Sequence, residues 1–296
     1  MRGLLVVGLL GSALTFSGWA EGSKRMGPAA VLAKANGVLA IGDPTANEID
    51  VIGAGGVART LVRYGASPAW SPDGTKLAYV GSPATGNPSL YLANAAGRDR
   101  RRLPVTFQVD YETGSDVSWS PDGRRLVFDG GPGGDDHIYV IDADGTGLRQ
   151  LTHGHEDTAP AWSPDGNTIA FVRGVSTFEI YLMNTHGGDQ RKLTAGDDPA
   201  WSPHGTILAF DRGGGAYSGG SGGLYAIAPG HGGAERLGNG TAPSWSPDGQ
   251  QLAFFCCSGY AAQANGIYAV SINGGRPRRL AAYTAGPVSL SWQPRP

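Results

Sequence analysis

Cysteine is almost absent from this chain: two residues in 296, Cys256 and Cys257, side by side. That count excludes both a disulfide framework and a cysteine-rich zinc site. Charge is also sparse, with 16% charged residues where about 25% is usual. Lys+Arg 23 against Asp+Glu 25 leaves a formal charge of −2. No long basic run occurs, so the electrostatic footprint of a nucleic-acid binder is missing. Glycine is abundant, 49 of 296, but lacks the every-third-residue period of collagen. The hydrophobic share of 40% is enough for a packed core and argues against a disordered chain.

The N-terminus reads as a secretory signal. Met1-Arg2 is a short basic start, and Gly3 to Phe16 is apolar or small. Gly18 and Ala20 then place small residues at −3 and −1 of a cut before Glu21. The apolar stretch is marginal for a membrane span, which needs about 20 residues. An uncleaved anchor, or a start at Met26, is the alternative.

Six of the seven tryptophans stand in one repeated context. Pro68-Ala69-Trp70-Ser71-Pro72-Asp73-Gly74 recurs around Trp119, Trp162, Trp201, Trp245 and, in shortened form, Trp292. The period of about 44 residues is that of a propeller blade. Each copy continues with an alternating strand such as Ile169-Ala170-Phe171 and a second such as Ile180-Tyr181. A glycine turn then leads to a third, ending in pairs such as Arg102-Leu103 and Gln150-Leu151. With the Trp strand this makes four strands per unit, A to D from the inside outward. Residues 37–61 supply B, C and D without A, and Val288–Trp292 supplies A alone. The pattern predicts an all-β, six-bladed propeller closed by the C-terminal strand joining the N-terminal blade, which covers otherwise open sheet edges. The expected organisation is a signal peptide over 1–20, a short segment over 21–35 and the propeller over 36–296.

The chemistry of the repeat agrees. Pro-Asp-Gly is a turn sequence, with Pro setting φ and Gly accepting positive φ. Pro68, Pro160, Pro199 and Pro243 suit an inner edge that needs no N–H partner. Each repeated Trp follows Ala or Ser, so an indole can fill the gap to one blade while the small residue admits the other. These tryptophans are therefore read as core.

The repeated Pro-x-Trp-Ser-Pro-Asp-Gly, followed by Leu/Ile-Ala-Phe, Ile-Tyr and Arg191-Lys192-Leu193-Thr194, resembles the TolB-like (WD-repeat-like) β-propeller repeat. The resemblance covers nearly all of the chain beyond residue 36. It implies a propeller found in envelope binding proteins, in peptidases, in some polysaccharide lyases and in other exported proteins. Family members with an α/β domain ahead of the propeller differ from this chain, where about fifteen residues, Glu21 to Ala35, precede the first blade. His204 replaces Asp in blade 5, Gln293 replaces Ser in the last A strand, and Asp50 stands where other blades have Tyr.

The A–B and C–D turns share one face and are uniform. The B–C and D–A loops share the other and differ in every blade, which is where binding on a rigid scaffold concentrates. The expected partner-binding residues are Asp110, Tyr111, Glu112, Asp136, His137, His153, His155, Glu156 and Asp198, with Asp135, Asp157, Asp197, Tyr217 and Tyr260 on the same face. His153-Gly154-His155-Glu156-Asp157 has metal-ligand residue types but no zinc spacing, and reads first as a solvated loop. Asp142-Ala143-Asp144-Gly145 lacks the rest of a calcium loop and reads as a turn. Gly219-Gly220-Ser221-Gly222-Gly223 matches G-x-S-x-G without the following helix of a nucleophile elbow. Cys256 and Cys257 read as two thiols in preference to a strained bond.

The leading expectation is an exported, monomeric propeller that binds a protein or peptide at the cell envelope. It has no cofactor, no catalytic residues, no nucleic-acid partner and no membrane span after processing. The alternatives are a metal-assisted or acid–base enzyme of lyase or hydrolase type on the same face, and a structural element of a larger assembly.

Overall fold

A computed structural model describes residues 37–43, 46–53, 56–82, 87–109, 117–174, 177–213, 222–256, 265–283 and 289–294. The expected signal segment, Asp110, Tyr111, Glu112, Tyr217, Tyr260, Cys257 and most of the G-x-S-x-G match lie outside these residues.

Six four-stranded antiparallel sheets form the blades. Blade 1 holds β1 (Leu39–Asp43), β2 (Glu48–Ile52) and β3 (Ala58–Arg63). Blade 2 is β4 (Gly65–Trp70), β5 (Lys76–Gly81), β6 (Ser89–Asn94) and β7 (Arg101–Arg102). Blade 3 is β8 (Val117–Trp119), β9 (Arg125–Gly130), β10 (His137–Asp142) and β11 (Arg149–Gln150). Blade 4 is β12 (Asp157–Trp162), β13 (Thr168–Arg173), β14 (Glu179–Asn184) and β15 (Arg191–Ala195). Blade 5 is β16 (Asp197–Trp201), β17 (Leu208–Arg212), β18 (Gly223–Ala228) and β19 (His231–Asn239). Blade 6 is β20 (Thr241–Trp245), β21 (Gln251–Cys256), β22 (Gly266–Ser271) and β23 (Arg278–Ala282). The last strand, β24 (Ser289–Trp292), returns to blade 1 as its inner strand, pairing Leu39 with Trp292 and Ile41 with Leu290. Each inner strand touches the next around the ring, from β24 through β4, β8, β12, β16 and β20 back to β24. Among the described residues the sole helical element is a single 3-10 turn at Pro132–Gly134.

The core lies between blades. Ala78, Val80, Leu90 and Leu92 of blade 2 pack on Trp119, Leu126, Phe128 and Ile141 of blade 3. At the closure, Leu39, Ile41 and Trp292 pack on Ala253, Phe255 and Ile267 of blade 6. Within blades, the Phe and Tyr of the repeat meet across the B–C ladder. Ring centroids are 5.8 Å apart for Phe171–Tyr181 and 5.8 Å for Phe210–Tyr225, a cross-strand aromatic pair of the kind that stabilises sheets. Blade 1 lacks the pair, because Ile41 faces Asp50.

The Ser-Pro-Asp-Gly turn is a hydrogen-bonded unit. Ser71 Oγ donates to Asp73 Oδ1 (2.6 Å) and accepts from Lys76 N (2.9 Å), while Thr75 N donates to Asp73 Oδ1 (3.0 Å). The same bonds recur at Ser120–Asp122, Ser163–Asp165 and Ser246–Asp248. The serine bond chiefly holds the carboxyls of Asp73, Asp122 and Asp165 below the usual range. In blade 5 His204 takes the Asp position, and Ser202 Oγ keeps only its bond from Ile207 N (3.1 Å). The repeated motif is thus explained by folding.

The residue before each Trp selects how neighbouring blades are joined. Where it is Ala, the next indole Nε1 donates to its carbonyl: Trp119 to Ala69 O (3.0 Å), Trp201 to Ala161 O (3.2 Å) and Trp245 to Ala200 O (3.1 Å). Where it is Ser, the next indole nitrogen has no partner, as at Trp70, Trp162 and Trp292. At two of these joints the serine Oγ instead accepts from the backbone N–H of the Trp: Ser291 from Trp70 (3.2 Å) and Ser118 from Trp162 (3.0 Å).

Three details differ from expectation. The outer strands β7 and β11 have only two residues each; Leu103 and Leu151 beyond them keep an N–H bond to Leu90 O (2.8 Å) and Ile138 O (2.7 Å) and are buried in the core. The four inner-edge prolines follow a β-bulge: Ser67, Ala159, Asp198 and Ala242 hold φ of 52°, 48°, 49° and 50°, where the ladder register shifts. Cys256 is disulfide-bonded, and among the described residues no free cysteine is present. The expected pair of thiols is corrected accordingly: the chain holds one other cysteine, Cys257, and a bond outweighs the strain of a small ring.

Candidate binding face

Strand direction sends the ends of the B strands and the starts of the A strands to the same end of the ring, the end that carries the irregular loops. Because A and B are the strands nearest the axis, their terminal residues surround the mouth of the central channel. Acidic side chains concentrate there. Asp43, Asp129 and Asp211 end or nearly end β1, β9 and β17, and Asp157 and Asp197 open β12 and β16.

Blade 5 carries the densest group. Asp197 and Asp211 face each other as direct partners in the β16–β17 ladder. Asp198, in the left-handed bulge, donates its N–H to Asp197 Oδ1 (2.9 Å) and also bonds the Asp211 side chain. Asp211 is fully buried. Its Oδ2 accepts from Ala242 N of blade 6 at 3.4 Å, while Oδ1 has no partner. Burial, and then the Asp197 carboxylate, push the Asp211 carboxyl up to about 7. Burial likewise raises Asp197. At the position of Asp211 the other B strands place Gly42, Val80, Asp129, Val172 and Phe255.

Blade 4 answers the same problem with a cation. Arg173 makes a two-point ion pair with buried Asp157, at 2.7 and 2.9 Å, and a third bond to Gln190 Oε1 at 2.9 Å. Its guanidinium lies 4.7 Å from the Tyr181 ring centre. Asp157 is consequently a structural carboxylate and not a free ligand of the His153–Asp157 segment. Arg212, the equivalent residue of blade 5, finds no carboxylate among these partners. It bonds Ala195 O (2.8 Å) and Thr194 Oγ1 (2.6 Å) across the blade boundary and lies over Tyr225 at 4.5 Å. At the seam of blades 6 and 1, burial and then Asp43 raise the Tyr283 hydroxyl well above its usual range.

The remaining expected residues fall into two groups. His137 Nδ1 lies 2.8 Å from His155 O, and Asp157 N donates to Asp136 O (2.9 Å), so the 136–137 and 153–157 loops are stitched together at one spot. The contact runs through backbone oxygens, leaving His153, His155 and Glu156 exposed. Among the described residues no group of three or more His, Cys, Asp or Glu side chains is placed to hold a metal ion. Asp198 belongs to the separate blade 5 group. Sequence reasoning missed Asp211, although a signal existed: an acid stands at a strand position where three other copies carry Val or Phe.

Ring, blade and loop asymmetry together define a six-bladed β-propeller with one uniform and one individual face. Residues 57–228 match the family model described as the TolB beta propeller domain, and the chain belongs to that family. A stretch of 127 residues is 42% identical to the Tol-Pal system protein TolB of Bordetella pertussis, covering 42% of this chain and 28% of that protein. A stretch of 130 residues is 28% identical to the uncharacterized peptidase YuxL of Bacillus subtilis, covering 43% of this chain and 13% of that one. The chain thus spans less than a third of either relative. In structure it is similar to TolB from Acinetobacter baumannii, with a TM-score of 0.69 and 22% identity over 88% of this chain and 67% of the other.

Proposed function

We propose that this protein is an exported propeller that binds a protein or peptide partner at the cell envelope through its irregular-loop face. The observation that carries the reading is the Asp197–Asp198–Asp211 group at the channel mouth. Among the described residues blade 5 alone sets one acid opposite another across the A–B ladder; the ladders of blades 2, 4 and 6 place Ala66, Thr158 and Thr241 opposite Val80, Val172 and Phe255, and no fold requirement explains the second carboxyl. Similarity to Tol-Pal system proteins supports a protein partner, and the basic start and apolar stretch of residues 2–16 support export. Among the described residues no helix is long and apolar enough to cross a membrane. The proposed contact surface comprises Asp136, His137, His153, His155, Glu156 and Asp198, together with Asp110, Tyr111 and Glu112. Aromatic contacts there would supply more of the affinity, and charged rim contacts more of the association rate.

A photo-crosslinking residue at position 198 or 136 tests this, compared with one at position 250 on the uniform face. Adducts with an envelope protein from the first two sites only are expected. Adducts from position 250 alone would put the partner on the other face. Recovery of Met1 on soluble cytoplasmic protein would overturn export.

A second reading, an acid–base enzyme on the same face, has one observation in its favour. A carboxyl held near neutrality beside a second carboxyl is poised for proton transfer.

A further inference from the structure

The outer wall of blades 1 and 2 carries a concentration of arginine, of which the fold uses only part. Residues 98–102 read Arg-Asp-Arg-Arg-Arg, and the wall joins them to Arg59 and Arg63 of β3. The two segments are physically knitted: Arg100 Nη1 donates to Arg63 O (3.3 Å) and its Nε to Gly97 O (3.0 Å). Gly97 lies so close to Leu61 that a Cβ there would come within 2.5 Å of the Leu61 carbonyl oxygen. Six arginines thus share this wall with two acids. Glu48 pairs with Arg63 at 3.6 Å and Asp99 with Asn94 at 2.5 Å.

The arginines divide by role. Arg101 spends its guanidinium on Ala143 O (2.6 Å) and Asp144 O (2.9 Å) of blade 3, and Arg149 repeats that clasp on blade 4. Arg59, Arg98 and Arg102 are exposed, and their side chains have no hydrogen-bond or ion-pair partner among the described residues. Two apolar side chains flank the same strand, Val57 at 76% and Tyr64 at 55% exposure. Tyr64 also holds a left-handed φ of 62°, fixed by its N–H bond to Asn47 O (2.7 Å) and by Ser82 N donating to its carbonyl (3.2 Å).

Unpaired arginines on a wall bounded by an exposed aliphatic residue at one end and an exposed aromatic at the other match the boundary of an anionic bilayer. Guanidinium groups there meet phosphate and Tyr sits at headgroup depth. We infer that this wall, which meets the partner-binding face only at its Tyr64 end, docks the protein on a membrane surface rich in anionic phospholipid.

Sedimentation of the full chain with vesicles tests this, using phosphatidylcholine alone and phosphatidylcholine with phosphatidylglycerol. The apolar stretch Gly3 to Phe16 would partition without regard to headgroup charge, so the quantity read is the ratio between the two vesicle types. An Arg59→Gln/Arg98→Gln/Arg102→Gln variant is expected to lower that ratio about 100-fold, at roughly fivefold per arginine. An Arg124→Gln/Arg191→Gln/Arg276→Gln variant, with the same loss of charge elsewhere, is expected to keep it within about fivefold. Raising salt should weaken the preference in the wild type. A wild-type ratio near one overturns the inference without reference to any variant. Equal losses in both variants reduce it to net charge and overturn it too. Binding to dextran sulfate in solution without preference for anionic vesicles would assign the wall to a soluble polyanion instead.

Discussion

Trp292→Ala, at the end of the closing strand, is the sharpest probe of how the ring holds together. The indole is 5% exposed and packs among Leu39, Ile41, Ala253, Phe255 and Ile267. Its nitrogen has no hydrogen-bond partner, so the loss is one of packing alone. Burying an aromatic of this size removes about 200 Å² from water. At about 25 cal/mol per Å² that is worth about 5 kcal/mol, in line with the 3–5 kcal/mol typical of large aromatic-to-Ala changes. For a domain of this size the melting temperature should fall by about 6–20 °C. Deleting residues 289–296 also removes the β24–β1 ladder, the Gln293 bonds to Val38 O (2.9 Å) and Gly74 O (2.7 Å), and the Ser291 bond from Trp70. That loss approaches the roughly 5–15 kcal/mol that holds a domain folded. Urea unfolding followed by tryptophan fluorescence and by circular dichroism reads both changes. A truncated protein that unfolds at the wild-type midpoint would refute closure through β24.

Asp211 sets a pH dependence. Its carboxyl is raised from 3.8 to about 7, so the native state keeps a proton that the unfolded chain has already released. Stability should fall as pH rises from about 4 to 7 and then level off; Asp211→Asn should flatten that slope and melt higher than wild type at pH 8. Trp119→Phe should cost about 1 kcal/mol more than Trp162→Phe in chemical denaturation, because only Trp119 gives up an indole bond and strands a buried carbonyl. His204→Asp should restore the serine–carboxylate bond of blade 5 and raise stability by about 0.5–1 kcal/mol, read as a melting temperature about 2 °C higher. An unchanged or lower midpoint would mean that blade 5 closes its turn in another way.

Sequence alone showed the blade because each blade meets the same physical demands at the same spacing. A reversal needs Pro-Asp-Gly, an interblade gap needs Trp beside Ala or Ser, and a B–C ladder needs Phe opposite Tyr. Even the missing first strand was legible, as a Trp strand left over at the far end. The bulge before each inner proline was not. Pro disfavours a helical residue before it, and nothing in Ser67, Ala159 or Ala242 marks a left-handed backbone. The candidate site was half legible. Loop residues could be assigned to a face by strand direction, but burial decided their roles. Asp157 was taken into an ion pair by Arg173, a residue sixteen positions away that has no motif. Asp211 looked like one more strand residue until its partner across the ladder proved to be another acid.

The alternation of Ala and Ser before the tryptophans also gives the ring unequal joints. Five of the six boundaries have a polar clasp at this level, either an indole to an alanine carbonyl or a backbone N–H to a serine hydroxyl. The sixth, where Trp292 meets Ser244 between blades 6 and 1, has neither among the described residues. Blades 4, 5 and 6 form one arc of carbonyl-clasped neighbours, with the acidic group on its middle blade. A ring built this way should open first at its least clasped joint, where a Tyr283–Asp43 side-chain bond is a remaining polar link. Transient opening would part the seam between blade 6 and blade 1 and leave the arc around Asp211 intact, so the mouth could widen on one side while the carboxylates opposite kept their positions.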